Sequence, residues 1–139
     1  MRLKTIMNNK HNIILTGMPG AGKTFFGEKI AEKLQNFSFI DTDSLIEKEF
    51  NMSIVDIFEK KGEECFRKAE TELIKKILKD NSNKIIAIGG GAFNSRNIDI
   101  LKQNGIVFYL KASINLLYER IKNEYNHRFN YQWNTCDNW

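Results

Sequence analysis

Short apolar runs alternate with longer stretches of helical period along this chain, the pattern of βαβ units around a parallel sheet. The run at 11–16 (His-Asn-Ile-Ile-Leu-Thr) stops at Gly17 and reads as a first strand. From Phe25 to Gln35 the apolar residues Phe26, Ile30, Ala31 and Leu34 recur at helical spacing, which predicts a helix with those residues on its apolar face. Residues 37–40 read as a second strand ending at Asp41-Thr42-Asp43. Short helices are predicted over 44–49 and 53–60, with Ser53 and Asp56 placed like an N-cap and a first-turn acid. The stretch 63–79 carries Phe66, Ala69, Leu73, Ile74, Ile77 and Leu78, a longer amphipathic helix. A third strand spans 84–88 and runs into Gly89-Gly90-Gly91. Residues 97–103 are predicted helical, 105–110 a fourth strand, and about 113–122 a last helix. From Phe129 to Trp139 no strand or helix period is legible.

These elements divide the chain into an amino-terminal extension (1–10), a core (11–122) and a partial lid with an atypical tail (123–139). The 139 residues suffice for one domain with a hydrophobic core. A net charge of +4, spread along the chain, suits a pocket for small anions better than a nucleic-acid face, and a merely solvated surface explains it as well. No run of 18 apolar residues marks a membrane span, and the first residues lack the apolar region of a signal peptide. Cys65 and Cys136 fit no metal spacing and read as free thiols. The expected setting is the cytoplasm, and the chain is read as a monomer that binds neither nucleic acid nor membrane.

Chemistry enters at Gly17-Met-Pro-Gly-Ala-Gly-Lys-Thr24, which fits the phosphate-loop pattern G-x-x-x-x-G-K-[ST] between a strand and a helix. Its glycines let backbone N–H groups turn inward toward phosphate oxygens, and the following helix points its positive end at the same place. Lys23 supplies charge to the β- and γ-phosphates, and the Thr24 hydroxyl suits a Mg²⁺ ion. Acceptor-side candidates lie after the other strands, where ligands bind in open α/β sheets. Asp41 and Asp43, two apart, would share one direction if extended, one for Mg²⁺ and one for an acceptor hydroxyl. Equally, Asp43 or Ser44 would cap a helix. Three successive glycines at 89–91 have no evident packing use and suggest close approach of a ligand or backbone. Arg67, within a helix, reads on composition as part of a solvated face.

The order of these pieces resembles the shikimate kinase family from His11 to Arg120. The pieces are 17–24, Asp41-Thr-Asp43, Ser53-Ile-Val-Asp-Ile-Phe58, Gly62-Glu-Glu-Cys-Phe-Arg-Lys-Ala-Glu70, Gly89-Gly-Gly-Ala92, Val107-Phe-Tyr-Leu110 and Arg120. The resemblance implies an α/β, P-loop NTPase-type three-layer sandwich with a parallel sheet, and transfer of the ATP γ-phosphate to the 3-hydroxyl of shikimate, a step toward chorismate and the aromatic amino acids. It implies ATP contacts from Gly17, Gly20, Ala21, Gly22, Lys23, Thr24, Phe25 and Arg120, and Mg²⁺ held by Thr24 and Asp41. Asp43 would hold the shikimate hydroxyls and help orient or deprotonate the attacking one, Arg67 would pair with the shikimate carboxylate, and Gly89, Gly90 and Gly91 would present backbone N–H groups. Arg128 resembles the lid arginine that closes on the transferring phosphate, after a one-residue insertion.

After Arg128 the family pattern of proline and leucines gives way to Phe129-Asn-Tyr131. The family's second carboxylate-binding arginine, fifth strand and adenine loop find no counterpart, so an unpaired sheet edge beside the first strand and poor turnover are expected. A fragment, a natural short form and a tail that forms its own lid are three alternatives. A non-catalytic nucleotide-binding remnant, or another small-molecule kinase such as gluconate kinase, is the alternative to shikimate kinase.

Overall fold

A computed structural model describes residues 12–133, with side chains through Asn123. Strand β1 (Asn12–Gly17) leads into helix α1 (Lys23–Lys33), then β2 (Ser38–Asp41), α2 (Thr42–Phe50), α3 (Ile54–Lys61) and α4 (Glu63–Ile77). The chain returns through β3 (Lys84–Ala87), a 3₁₀ turn (Gly90–Ala92), α5 (Ile98–Asn104), β4 (Gly105–Leu110) and α6 (Ile114–Trp133). All pairings are parallel, in the order β2-β3-β1-β4. The expected α/β architecture is therefore present.

Burial on both faces explains which strands are central. Every residue of β3 is buried, and five of the six in β1, as near-continuous apolar runs of parallel sheets require. Ile14, Ile86 and Ile88 meet Ile74 and Ile77 of α4 and Leu101 of α5 in the main core. A second core, Ile46, Ile57 and Phe66, joins α2, α3 and α4.

Two expectations fail here. The edge beside β1 is not open, because β4 pairs with β1 along all six residues from Asn12↔Gly105 to Gly17↔Leu110. Among the described residues the edges are β2 and β4, and β4 exposes Phe108 and Tyr109. The last helix also continues past Lys122, through Arg128 and Phe129 to Trp133, because neither glycine nor proline interrupts this polar sequence. Its length is 20 residues, yet among the described residues no helix is long and apolar enough to cross a membrane.

Parallel pairing brings the carboxyl ends of the strands to one edge: Asp41 lies opposite Ala87, Ala87 opposite Leu15, and Gly17 opposite Leu110. The buried Thr42 hydroxyl donates to the Ala87 carbonyl at 3.1 Å, fastening the start of α2 to the end of β3. That edge carries every candidate loop.

Candidate active site

The phosphate loop joins β1 to α1. Gly20 (φ 79°) and Gly22 (φ 94°) lie in the left-handed region that L side chains rarely adopt, so glycine is needed for the loop to close. Ala21 donates its N–H to the Met18 carbonyl at 3.1 Å and is itself buried. No acidic residue occupies the first turn of α1, which leaves the positive helix end uncompensated toward the loop. Lys23 Nζ donates to the Gly17 carbonyl at 2.8 Å and to the Met18 carbonyl at 3.0 Å. Burial pulls its pKa down, against the raising influence of Asp43 and Asp41.

Thr24 Oγ1 donates to Asp41 Oδ2 at 2.9 Å. The other oxygen, Asp41 Oδ1, accepts from the N–H groups of Asp43 (3.0 Å) and Ser44 (3.3 Å). The cap of α2 is thus Asp41, not Asp43 or Ser44, and one carboxylate serves both the helix and the phosphate side. Asp43 belongs to the first turn of α2, so the extended geometry expected for the pair does not occur. Burial pushes the Asp43 carboxyl above the usual range, the Asp41 charge adds to this, and Lys23 opposes it.

The glycine triplet does have a packing use. A methyl group on Gly89 would stand 3.5 Å from Asp43 Oδ1, and one on Gly90 would stand 3.2 Å from the Gly17 carbonyl. One on Gly91 would fall 2.5 Å from Arg67 Nη2. Three site groups therefore close around this turn, tightest at Gly91, where a side chain would displace the Arg67 guanidinium. The Ala92 N–H to Gly89 carbonyl bond (3.0 Å) shapes this turn, and Asn94 and Asn97 donate to the Gly91 and Ala92 carbonyls at 2.7 and 2.9 Å.

Arg67 does not lie on a solvated face. Its side chain is 23% exposed, and Nη1 donates to Glu70 Oε2 at 3.0 Å while Nε donates to Glu63 Oε1 at 3.4 Å. The guanidinium also lies over Phe66 (5.2 Å) and Phe58 (5.9 Å), within cation–π range. Glu70 is only 1% exposed, and burial raises its pKa against the pull of Arg67. Sequence reasoning passed over Glu70 as a partner, although the three-residue spacing from Arg67 was the available signal.

On the other side of the loop, Arg120 Nη1 donates to the Gly20 carbonyl at 2.8 Å. A cavity of about 660 Å³ opens there, bordered by Gly22, Thr24, Phe25, Phe26 and Arg120. Arg128 lies within the span of α6, but its side chain falls outside the described residues, as does Cys136.

A family model described as shikimate kinase matches residues 19–138. The shikimate kinase of Caldicellulosiruptor bescii is 44% identical over 114 residues, 81% of this chain and 65% of that protein. That of Bacillus subtilis is 45% identical over 111 residues, 79% of this chain and 59% of that protein. Among solved structures, a shikimate kinase from Acinetobacter baumannii in complex with shikimate superposes with a TM-score of 0.77 at 37% identity, covering 88% of this chain and 68% of the other. The Aquifex aeolicus shikimate kinase gives a TM-score of 0.71 at 33% identity, covering 78% and 64%. The chain spans less than two thirds of the two curated relatives named above, and it belongs to the shikimate kinase family.

Proposed function

We propose that this site transfers the γ-phosphate of ATP to the 3-hydroxyl of shikimate. The observation that carries the reading is the position of Asp43 beside Gly89, within electrostatic reach of both Lys23 of the phosphate loop and Arg67. A donor phosphate on the loop and an acceptor carboxylate at Arg67 would bring an acceptor hydroxyl to Asp43. Arg67 suits that carboxylate because its planar fork binds two oxygens, and the aromatic rings and Glu70 hold it in place.

Thr24 and Asp41 fit a hard cation that takes few protein ligands and completes its shell with phosphate oxygens and water. Mg²⁺ bound there would neutralise charge on the phosphates. Lys23, now held by the Gly17 and Met18 carbonyls of the loop, would turn to the β- and γ-phosphates. In the transfer, the acceptor oxygen forms a bond to the γ-phosphorus as its proton passes to the Asp43 carboxylate. The bond from that phosphorus to the bridging oxygen breaks, and ADP keeps the electron pair. Positioning and charge neutralisation do most of the work. Arg128 would be the lid cation for the transferring group, and the backbone N–H groups of Gly89–Gly91 would orient the acceptor.

The test is ADP release from ATP with Mg²⁺ in the presence of shikimate, of gluconate, or of neither. Stimulation by shikimate alone is expected. Stimulation by gluconate instead would assign a different small-molecule kinase, and nucleotide binding with no stimulation would favour the non-catalytic reading.

A further inference from the structure

Arg96 Nη2 donates to both carboxylate oxygens of Glu64, at 3.1 and 3.0 Å, across 32 positions of sequence. Every other ion pair among the described residues joins positions three or four apart. Both side chains are largely exposed, 47% and 79%, so the pair adds little to the stability of the fold. Its use lies in what it joins. Glu64 belongs to the first turn of α4, three residues before Arg67, and Arg96 follows the glycine turn.

The start of α4 has little local anchorage. Its N-cap is Gly62, which supplies no side-chain cap, and a methyl group built there would meet nothing within 4 Å. Phe66 packs the next turn against Ile46 of α2 and Ile57 of α3 in the second core. Ala92 of the glycine turn instead belongs to the main core, with Ile14 and Ile88. Arg67 and Gly91 therefore face each other across the boundary between two packed groups.

On the glycine side, Asn94 ties Arg96 to the turn. Its Oδ1 accepts from the Arg96 N–H at 2.9 Å, and its Nδ2 donates to the Gly91 carbonyl at 2.7 Å. The Glu64–Arg96 bridge closes a circuit from Gly91 through Asn94, Arg96, Glu64 and one turn of α4 back to Arg67. The Arg67 atom nearest a methyl group built on Gly91 is Nη2. Nη1 and Nε already donate to Glu70 and Glu63, and Nη2 has no acceptor among the described residues. An acceptor carboxylate therefore meets Nη2, and the circuit sets how far that group stands from the turn.

We propose that Glu64 and Arg96 are positioning residues for the acceptor, their bridge holding the glycine turn at the spacing from Arg67 that admits the acceptor carboxylate. The inference rests on the acceptor reading given above and adds to that site two residues which do not belong to its motifs. Lys23, Thr24 and Asp41 lie outside the circuit, so nucleotide affinity does not depend on it.

Calorimetric titration of the full chain with shikimate and, separately, with Mg²⁺-ATP tests this, alongside thermal melts. Arg96→Gln and Glu64→Gln should each weaken shikimate about fivefold, the upper end for an exposed pair, with ATP affinity and melting temperature unchanged. Arg96→Lys keeps the cation and should retain most of the shikimate affinity. The double Gln variant should bind as the single ones do, because either substitution already opens the bridge. Glu64→Gln is the decisive arm, since a freed Arg96 that contacted the acceptor directly would bind shikimate more tightly. Such tightening, unchanged shikimate affinity in both single variants, or equal loss of both ligands would overturn the proposal. An unsubstituted chain that binds Mg²⁺-ATP and not shikimate would instead overturn the acceptor reading, and this inference with it.

Discussion

Thr24 and Asp41, seventeen positions apart, meet hydroxyl to carboxylate at 2.9 Å, while the second oxygen of Asp41 caps α2. The helix that carries Asp43 is therefore tied to the end of the phosphate loop through one side chain. Asp41→Asn keeps a good cap and removes the charge. It should leave thermal stability nearly unchanged and raise the Mg²⁺ concentration needed for nucleotide binding about tenfold or more. Asp41→Ala should also lose about 1 kcal/mol of stability with the cap. A metal titration alongside thermal melts separates the two roles.

Asp43 carries opposite consequences for rate and stability. Burial and Asp41 raise its pKa, so the folded chain binds this proton more tightly than the unfolded chain does. Its contribution to stability therefore falls as pH rises from the ordinary carboxylate range through the raised value. Activity needs the ionised form, so the acid limb of kcat/KM should lie above the ordinary carboxylate range. Asp43→Asn should lower turnover by about 10²-fold or more and raise the melting temperature at neutral pH. An Asp43→Asn protein that melts at a lower temperature would show that the carboxylate is stabilising instead.

Arg67 and Glu70 should behave as a unit. Arg67→Ala removes a partner for an acceptor carboxylate, at about 1.5–3 kcal/mol of binding, and leaves Glu70 buried without its cation. Adding Glu70→Gln should recover stability and not shikimate affinity. Chemical denaturation and shikimate titration of the single and double variants check this. Recovery of both together would mean that Arg67 acts only through the fold.

Gly91→Ala places a methyl group where the Arg67 guanidinium lies, and the flexible arginine is the group that yields. Shikimate binding should weaken about tenfold, in keeping with a displaced charge-assisted contact, and ATP binding should be unaffected. Equal loss of both ligands in paired titrations would place the damage in the sheet edge.

Most of the architecture was legible because parallel strands buried on both faces are continuous apolar runs, as Ile13-Ile14-Leu15 and Ile85-Ile86-Ala87 are. The phosphate loop was legible because its glycines and Lys23 are local in sequence. What stayed hidden depends on contacts between distant residues. Strand order is one such case: nothing in 105–110 says that it lies beside β1, so the open edge was misplaced. Arg67 is another, since its burial comes from Gly91, Phe58 and Glu70 closing around it. Phe26 misled for a related reason: its period points toward a core, yet it is 47% exposed, because the close approach of Gly27 to the Phe39 ring decides how α1 docks.

Phosphorus NMR of the chain with ATP, Mg²⁺ and shikimate reads the proposed chemistry most directly. A new phosphomonoester signal should grow in step with ADP, only when shikimate is present, and should vanish with Asp43→Asn. Inorganic phosphate accumulating in its place, or ATP unchanged while it is bound to the protein, would contradict phosphoryl transfer to shikimate at this site.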